Sequence, residues 1–264
     1  MNNTSNRREA LMLMGAASGL GLAAMGSAPV EAEAAAGNTP AAPEGTMLRE
    51  FGERLARAPR RRDFKTVPMI LTEEDQWDHD ALKEVISYGG ARRQVWDNTD
   101  LGGPWLNVMR NSLNAQVWSF KHADFLVVSA THGSAHLALF EQEMWDKYKL
   151  ADLTGGKFKT NTLIKDRSAA LADGNAYENA NGVFSAANNS IPALQRRGVV
   201  FLACHNSIWE IAGRLVEATI NPDALSQEAL AAELTNHLIS GVVVTPGAAA
   251  TLPELQAAGF HYAK

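Results

Sequence analysis

The chain has 264 residues, 46% of them hydrophobic and 20% charged, with a formal net charge of −5. That apolar share supplies a core and rules out a disordered chain, while the acidic balance leaves no cationic excess to neutralise phosphates, so nucleic acid is not an expected partner. Cys204 is the one cysteine, which excludes an internal disulfide and leaves its thiol free unless it pairs between chains.

Residues 1–34 read as an export signal. Arg7 and Arg8 precede a Gly- and Ala-rich apolar run, and VEAEAAAG offers small-residue cleavage positions near Ala34. Paired arginines before such a run point to the twin-arginine route, which carries proteins already folded. The expectation is a periplasmic protein. The run is too weakly apolar for a stable span, so no membrane anchor is expected once the signal is removed. Residues 35–46, AAGNTPAAPEGT, read as a flexible linker.

Residues 47–264 read as one α/β domain, with an N-terminal extension at 47–91 and a core at 92–264. Leu48, Phe51 and Leu55 recur at helical spacing. Asp78 is placed to cap a helix carrying Leu82, Val85 and Ile86, stopped by Gly89 and Gly90. RQVWDN reads as a strand, and Pro104 opens a helix with Leu106, Met109, Leu113 and Val117 on one face. DFLVVSA is a continuous apolar strand of the kind buried on both sides. Ser134 is placed to cap a helix whose stripe is Leu137, Phe140, Met144 and Tyr148.

Residues 151–187, rich in Asn, Gly and Ala, break the rhythm and read as a long loop. Then SIPALQRRG is a helix closed by Gly198, and VVFLA is a strand. Asn206 is expected to cap a helix bearing Ile208, Ile211 and Leu215, and Ser226 another bearing Leu230, Leu234 and Leu238. GVVVTP is a strand, TLPELQAAG a short helix, and FHYAK a last strand. Strands separated by helices argue for a mainly parallel sheet with helices on both faces.

Ligands of such sheets sit beyond the carboxyl ends of the strands. DFLVVSA runs into Thr131-His132-Gly133, VVFLA into Cys204-His205-Asn206, and GVVVTP ends at Pro246-Gly247. A helix beginning at Asn206 would turn its free N–H groups toward Cys204, which favours a reactive sulfur, and His132 or His205 would supply charge or a proton. The plainer alternative is a buried, inert cysteine, since free cysteine is among the most buried residue types. His132 and His136 stand at i, i+4 in HGSAH and could share a metal with Cys204 and His205, but nothing fixes that spacing. The arginine pairs at 92–93 and 196–197 read as solvated flanks of strands, and Trp105, Trp118, Trp145 and Trp209 as core or interface. No dinucleotide fingerprint, phosphate loop or G-x-S-x-G elbow is present.

VVSATHGSAHLAL, RRGVVFLACHNSI and GVVVTPGAAATLPELQAAGFHYAK, in that order, resemble the DsrE/DsrF-like family of small sulfur-relay proteins over roughly residues 92–264. The resemblance implies a flavodoxin-like three-layer α/β fold, assembled as a trimer or hexamer. It also implies a persulfide held on the cysteine that Cys204 matches, beside the loop that His132 and Gly133 match. The leading expectation is an exported sulfur carrier or sulfurtransferase-like protein, exchanging sulfur with a small molecule or protein. The catalytic residues would be Cys204, His132 and His205, with Gly133, Asn206, Pro246 and Gly247 around them; the step requires no cofactor or metal. The rival expectations are a non-catalytic ligand- or partner-binding module, and an exported metal or cofactor protein.

Overall fold

The computed structural model describes residues 45–165, 179–182 and 184–264. The export signal and most of the 35–46 linker lie outside them, as do residues 166–178 and 183 of the predicted loop.

Five strands form one all-parallel sheet: β1 (Arg93–Asn98), β2 (Leu126–Thr131), β3 (Val200–Cys204), β4 (Val243–Thr245) and β5 (His261–Ala263), ordered β4-β3-β2-β1-β5. Helices cover both faces of the parallel sheet, as the βα alternation predicts, and the result is the three-layer, flavodoxin-like α/β architecture that the resemblance implies. Its helices are α1 (Thr46–Arg57), α2 (His79–Ile86), α3 (Trp105–Asn114), α4 (Gln142–Lys147), α5 (Ile191–Arg196), α6 (His205–Glu217), α7 (Gln227–Asn236) and α8 (Ala248–Ala257). Among the described residues no helix is long and apolar enough to cross a membrane.

Handedness decides which helix lies where. From β1 to β4 the chain steps across the sheet in one direction, so right-handed crossovers put α3 to α7 on one face. There Met109, Leu113, Phe201, Val127, Ile208 and Leu234 share a core. The step from β4 to β5 runs back past three strands, so α8 must cross the opposite face. One helix cannot cover five strands. The segment at 46–86 supplies the remainder: Phe51, Leu55, Leu82 and Val85 join Leu255, Val128 and Leu202 in a second core. The predicted N-terminal extension is thus half of one layer.

Asp78 holds that layer to the sheet edge. It stands at the start of α2, but its carboxylate does not cap the helix. Oδ2 accepts the Val244 N–H at 2.7 Å, the Asp78 N–H donates to the Val244 carbonyl at 3.2 Å, and Arg62 donates twice to the carboxylate at 2.8 and 2.9 Å. Asp78 therefore satisfies part of the open edge of β4, which would otherwise be free to pair with another chain.

Several local expectations change. The first helix already includes Thr46, the last residue assigned to the linker. α3 gives way at Ala115–Ser119 to a π turn. The helix expected from Ser134 is a 3-10 segment, Gly133–Leu139, followed by a separate α4. The Ser134 hydroxyl is used elsewhere: it accepts from the Leu101 N–H at 3.0 Å and donates to the Thr99 carbonyl at 3.2 Å. Asn206 is not a cap, since α6 starts at His205 with Cys204 in the cap position. The described parts of 151–187 make short 3-10 turns at Asp152–Thr154, Thr162–Ile164 and Ala186–Asn188. Their Leu153, Phe158 and Leu163 pack on the α3–α7 core. Nor are the arginine pairs only solvated flanks. Arg93 donates to the Tyr88 carbonyl, and half-buried Arg197 donates to Asn114 at 2.7 Å and lies over Phe184. Burial pushes Arg197 down to about 10.

Candidate functional site

Side chains alternate along a strand, so one sheet face at the C-terminal strand ends carries every second residue. On the face covered by α1, α2 and α8, that row is Asp97 of β1, His132 just beyond β2, Cys204 of β3 and Thr245 of β4. The register sets this. Asp97 pairs with Ala130, Thr131 with Ala203, and Cys204 with Thr245. His132 keeps extended dihedrals (φ −149°, ψ −172°), so continuing the β2–β3 register by one residue sets it beside Cys204. Neighbouring strands lie about 4.8 Å apart.

The Cys204 sulfur accepts the Ala248 N–H at 3.2 Å. Ala248 is the first residue of α8, and Cys204 itself occupies the cap position of α6. The N-terminus of α8 therefore turns its positive dipole end toward the sulfur, whereas the Cys204 side chain bonds none of the N–H groups of α6. The expected donors, the first N–H groups of the helix after Cys204, do not reach the sulfur; the N–H it accepts comes from α8, a helix that the sequence pattern does not assign to it. The residue is only 4% exposed.

His132 is oriented by a carboxylate. Its Nε2 lies 2.6 Å from Asp97 Oδ1, and the pair's side chains are 26% and 11% exposed. Asp97 Oδ2 accepts from the Tyr262 hydroxyl at 2.8 Å and lies 3.6 Å from Lys264 Nζ. Burial alone would raise the Asp97 carboxyl, but the hydrogen bonds from His132 and Tyr262 outweigh it and hold the group below the usual carboxylate range. A carboxylate on one imidazole nitrogen fixes the tautomer and leaves the other nitrogen, Nδ1, for proton transfer. Asp97, Tyr262 and Lys264 were not singled out from the sequence. Asp97 and Tyr262 are 165 positions apart, and only the return of β5 to the side of β1 joins them.

The other predicted residues divide. Gly133 belongs to the site's frame: its φ is +57°, a Cβ there would come within 2.8 Å of the Thr99 carbonyl oxygen, and its N–H donates to Ser207 at 3.1 Å. Gly247 precedes α8 and lies against the exposed Asn206 side chain, while Pro246 is half-buried beside it. His205 is not beside the sulfur's reactive partners. It is buried in the first turn of α6, with Nε2 2.8 Å from the Pro68 carbonyl, where it ties down the strap joining α1 to α2. Burial lowers its proton affinity.

His136 does not share a metal with His132. On a 3-10 segment residues three apart align, so i, i+4 positions diverge. His136 is completely buried, 5.1 Å from Phe140 ring to ring, and neither ring nitrogen has a hydrogen-bond partner among the described residues. Burial, aided by nearby His132, pushes it down to about 3. The metal-capable group found among the described residues is instead Glu141, Glu143 and His237, whose ligand atoms lie within 4.8 Å of one another. It contains none of the predicted site residues.

Comparisons with protein-family models, with curated proteins and with solved structures returned no match.

Proposed function

We propose that this protein carries sulfur as a persulfide on Cys204. The observation that supports the reading is the placement of the sulfur: it accepts the first N–H of α8 and shares a sheet face with the His132–Asp97 pair. In the proposed step the Cys204 sulfur, its proton taken by His132, attacks the outer sulfur of a small persulfide or polysulfide donor. A new S–S bond forms at Cys204 and the donor's S–S bond breaks. The departing donor sulfur takes the electron pair and the proton from His132, so a thiol and a persulfide exchange roles with no net oxidation. His132 and Cys204 are the catalytic residues, and Asp97 is a positioning residue. Export through Arg7 and Arg8, a periplasmic location and a trimeric or hexameric assembly belong to the same proposal. The sequence likeness to the DsrE/DsrF-like family over 92–264 supports it.

The 4% exposure of Cys204 favours a second reading, in which the thiol is a core residue of a ligand-binding module. Intact mass after incubation with polysulfide separates the two. The first reading expects whole sulfur atoms added to the native chain and none to Cys204→Ser. Sulfur uptake by Cys204→Ser, or a native thiol inert to both polysulfide and iodoacetamide, would end it.

A further inference from the structure

The opposite end of the sheet carries a cavity that the sulfur chemistry does not use. It has a volume of about 390 Å³, within the range of small-ligand sites. Four of its lining side chains, Arg92, Arg93, His122 and His261, are basic, and no acidic side chain lines it, although the chain as a whole is acidic.

The polar lining offers donors. Gln94 also lines the cavity, and its Oε1 already accepts from Trp96 Nε1 at 2.9 Å and from Ser112 at 2.7 Å. Gln116 Oε1 is 2.7 Å from His122 Nδ1. Both amide oxygens are thus occupied, and neither NH₂ group has a hydrogen-bond partner among the described residues. Arg93 is committed to the Tyr88 carbonyl, whereas exposed Arg92 has no side-chain hydrogen bond or ion pair among the described residues.

One wall is aromatic and turned to solvent. Phe120 is 62% exposed, and its ring is stacked at 17° to that of His122. The backbone is shaped to hold it there. The π turn at Ala115–Ser119 runs into Lys121, whose φ of +61° is a left-handed value that a lysine adopts at a cost. The His122 N–H then closes the turn on the Gln116 carbonyl at 2.9 Å. π turns of this kind are frequent at functional sites.

From donors without acids, an unspent arginine and an exposed ring, we infer that this cavity binds a small anion attached to a planar ring. The ring lies on Phe120 and the anionic group faces Arg92 and the glutamine amides. An aromatic carboxylate and a nucleoside monophosphate share that chemistry.

Calorimetric titration of the native chain with benzoate, adenosine monophosphate and adenosine tests the inference and tells the sources apart. Saturable binding of benzoate, of the monophosphate, or of both is expected, with adenosine at least about tenfold weaker than the monophosphate. Phe120→Ala and Arg92→Ala, both at exposed positions and checked for native circular dichroism, should each weaken binding about tenfold, and Cys204→Ser should leave it unchanged. Failure of both anions to saturate, adenosine binding as tightly as its monophosphate, or wild-type binding by the Phe120 and Arg92 variants would overturn it.

Discussion

The two ends of the parallel sheet are built on opposite plans. At the C-terminal end the polar groups answer one another: His132 to Asp97, Asp97 to Tyr262, the Cys204 sulfur to the Ala248 N–H. At the N-terminal end the Arg92 side chain and two amide NH₂ groups have no hydrogen-bond partner among the described residues, and a phenylalanine faces water. Satisfied, half-buried groups suit chemistry on one fixed atom, where preorganisation lowers a barrier. Unspent donors around an open space suit uptake of something from outside. Both ends join distant parts of the chain, the first through Tyr262 and Asp97, the second through His261 beside Gln94, but the second adds a local turn, Ala115–Ser119, that sets Phe120 in place.

Four measurements put pressure on this contrast. The largest expected effect comes from Asp78→Ala, which leaves Arg62 and the Val244 N–H without their carboxylate. Loss of one member of a buried pair costs about 3 kcal/mol, to be read as a lower denaturation midpoint in urea. The strap between α1 and α2 should loosen at Pro68 while anion uptake at the N-terminal end persists in the folded fraction. If both ends fail together, the two are not independent.

Next in size, His132→Ala should slow sulfur transfer to Cys204 about a hundredfold, as loss of a general acid–base group does, with little change in stability. A variant that transfers sulfur at the wild-type rate removes His132 from the reaction.

The third concerns acid. His136, neutral when folded down to about pH 3, takes a proton at its ordinary value near 6.5 once unfolded. Below pH 6.5 the unfolded state therefore binds more protons, and stability falls as pH falls, by up to about 1.4 kcal/mol per pH unit for one such group. Burial acts on His205 in the same direction, whereas the lowered Asp97 withdraws its contribution only below about pH 4. His136→Phe should thus flatten the stability profile between pH 6.5 and 4. An unchanged slope would mean that His136 already holds a proton when folded.

Smallest is Tyr262→Phe, which removes one hydrogen bond from Asp97, about 1 kcal/mol. A several-fold slower transfer is expected, with the pH at which Asp97 titrates moving up. A slower rate without that movement would assign Tyr262 some other part.

Much of this architecture can be read from residues alone, for definable reasons. DFLVVSA and VVFLA are continuous apolar runs because helices bury both of their faces, and they lead to His132 and Cys204. The stripe Leu137, Phe140, Met144 and Tyr148 is buried as expected, yet no single helix delivers it, because Gly133 turns left-handed and Ser134 bonds to the β1–α3 loop. Pattern reports which side chains go inside more reliably than which backbone takes them there. Asp97 and Tyr262 escaped notice because neither has a local motif, and their meeting depends on strand order, which no short window of sequence contains. His136 looked like the partner of His132 because i, i+4 assumes an α-helical pitch.

The layer made by α1, α2 and α8 has a consequence for how the chain folds. α3 to α7 and the strands between them form an almost contiguous block, so that side can condense from neighbours in sequence. The other side must wait for residues at opposite ends of the domain: Arg62 reaches the Val242 carbonyl across 180 positions, and Asp78 meets Val244 across 166. Contacts so far apart close slowly, because the loop entropy is lost before the contact forms. The expected folding intermediate is a half-clad sheet, helical on one side and bare on the other, with the sulfur of Cys204 uncovered until the last helices arrive.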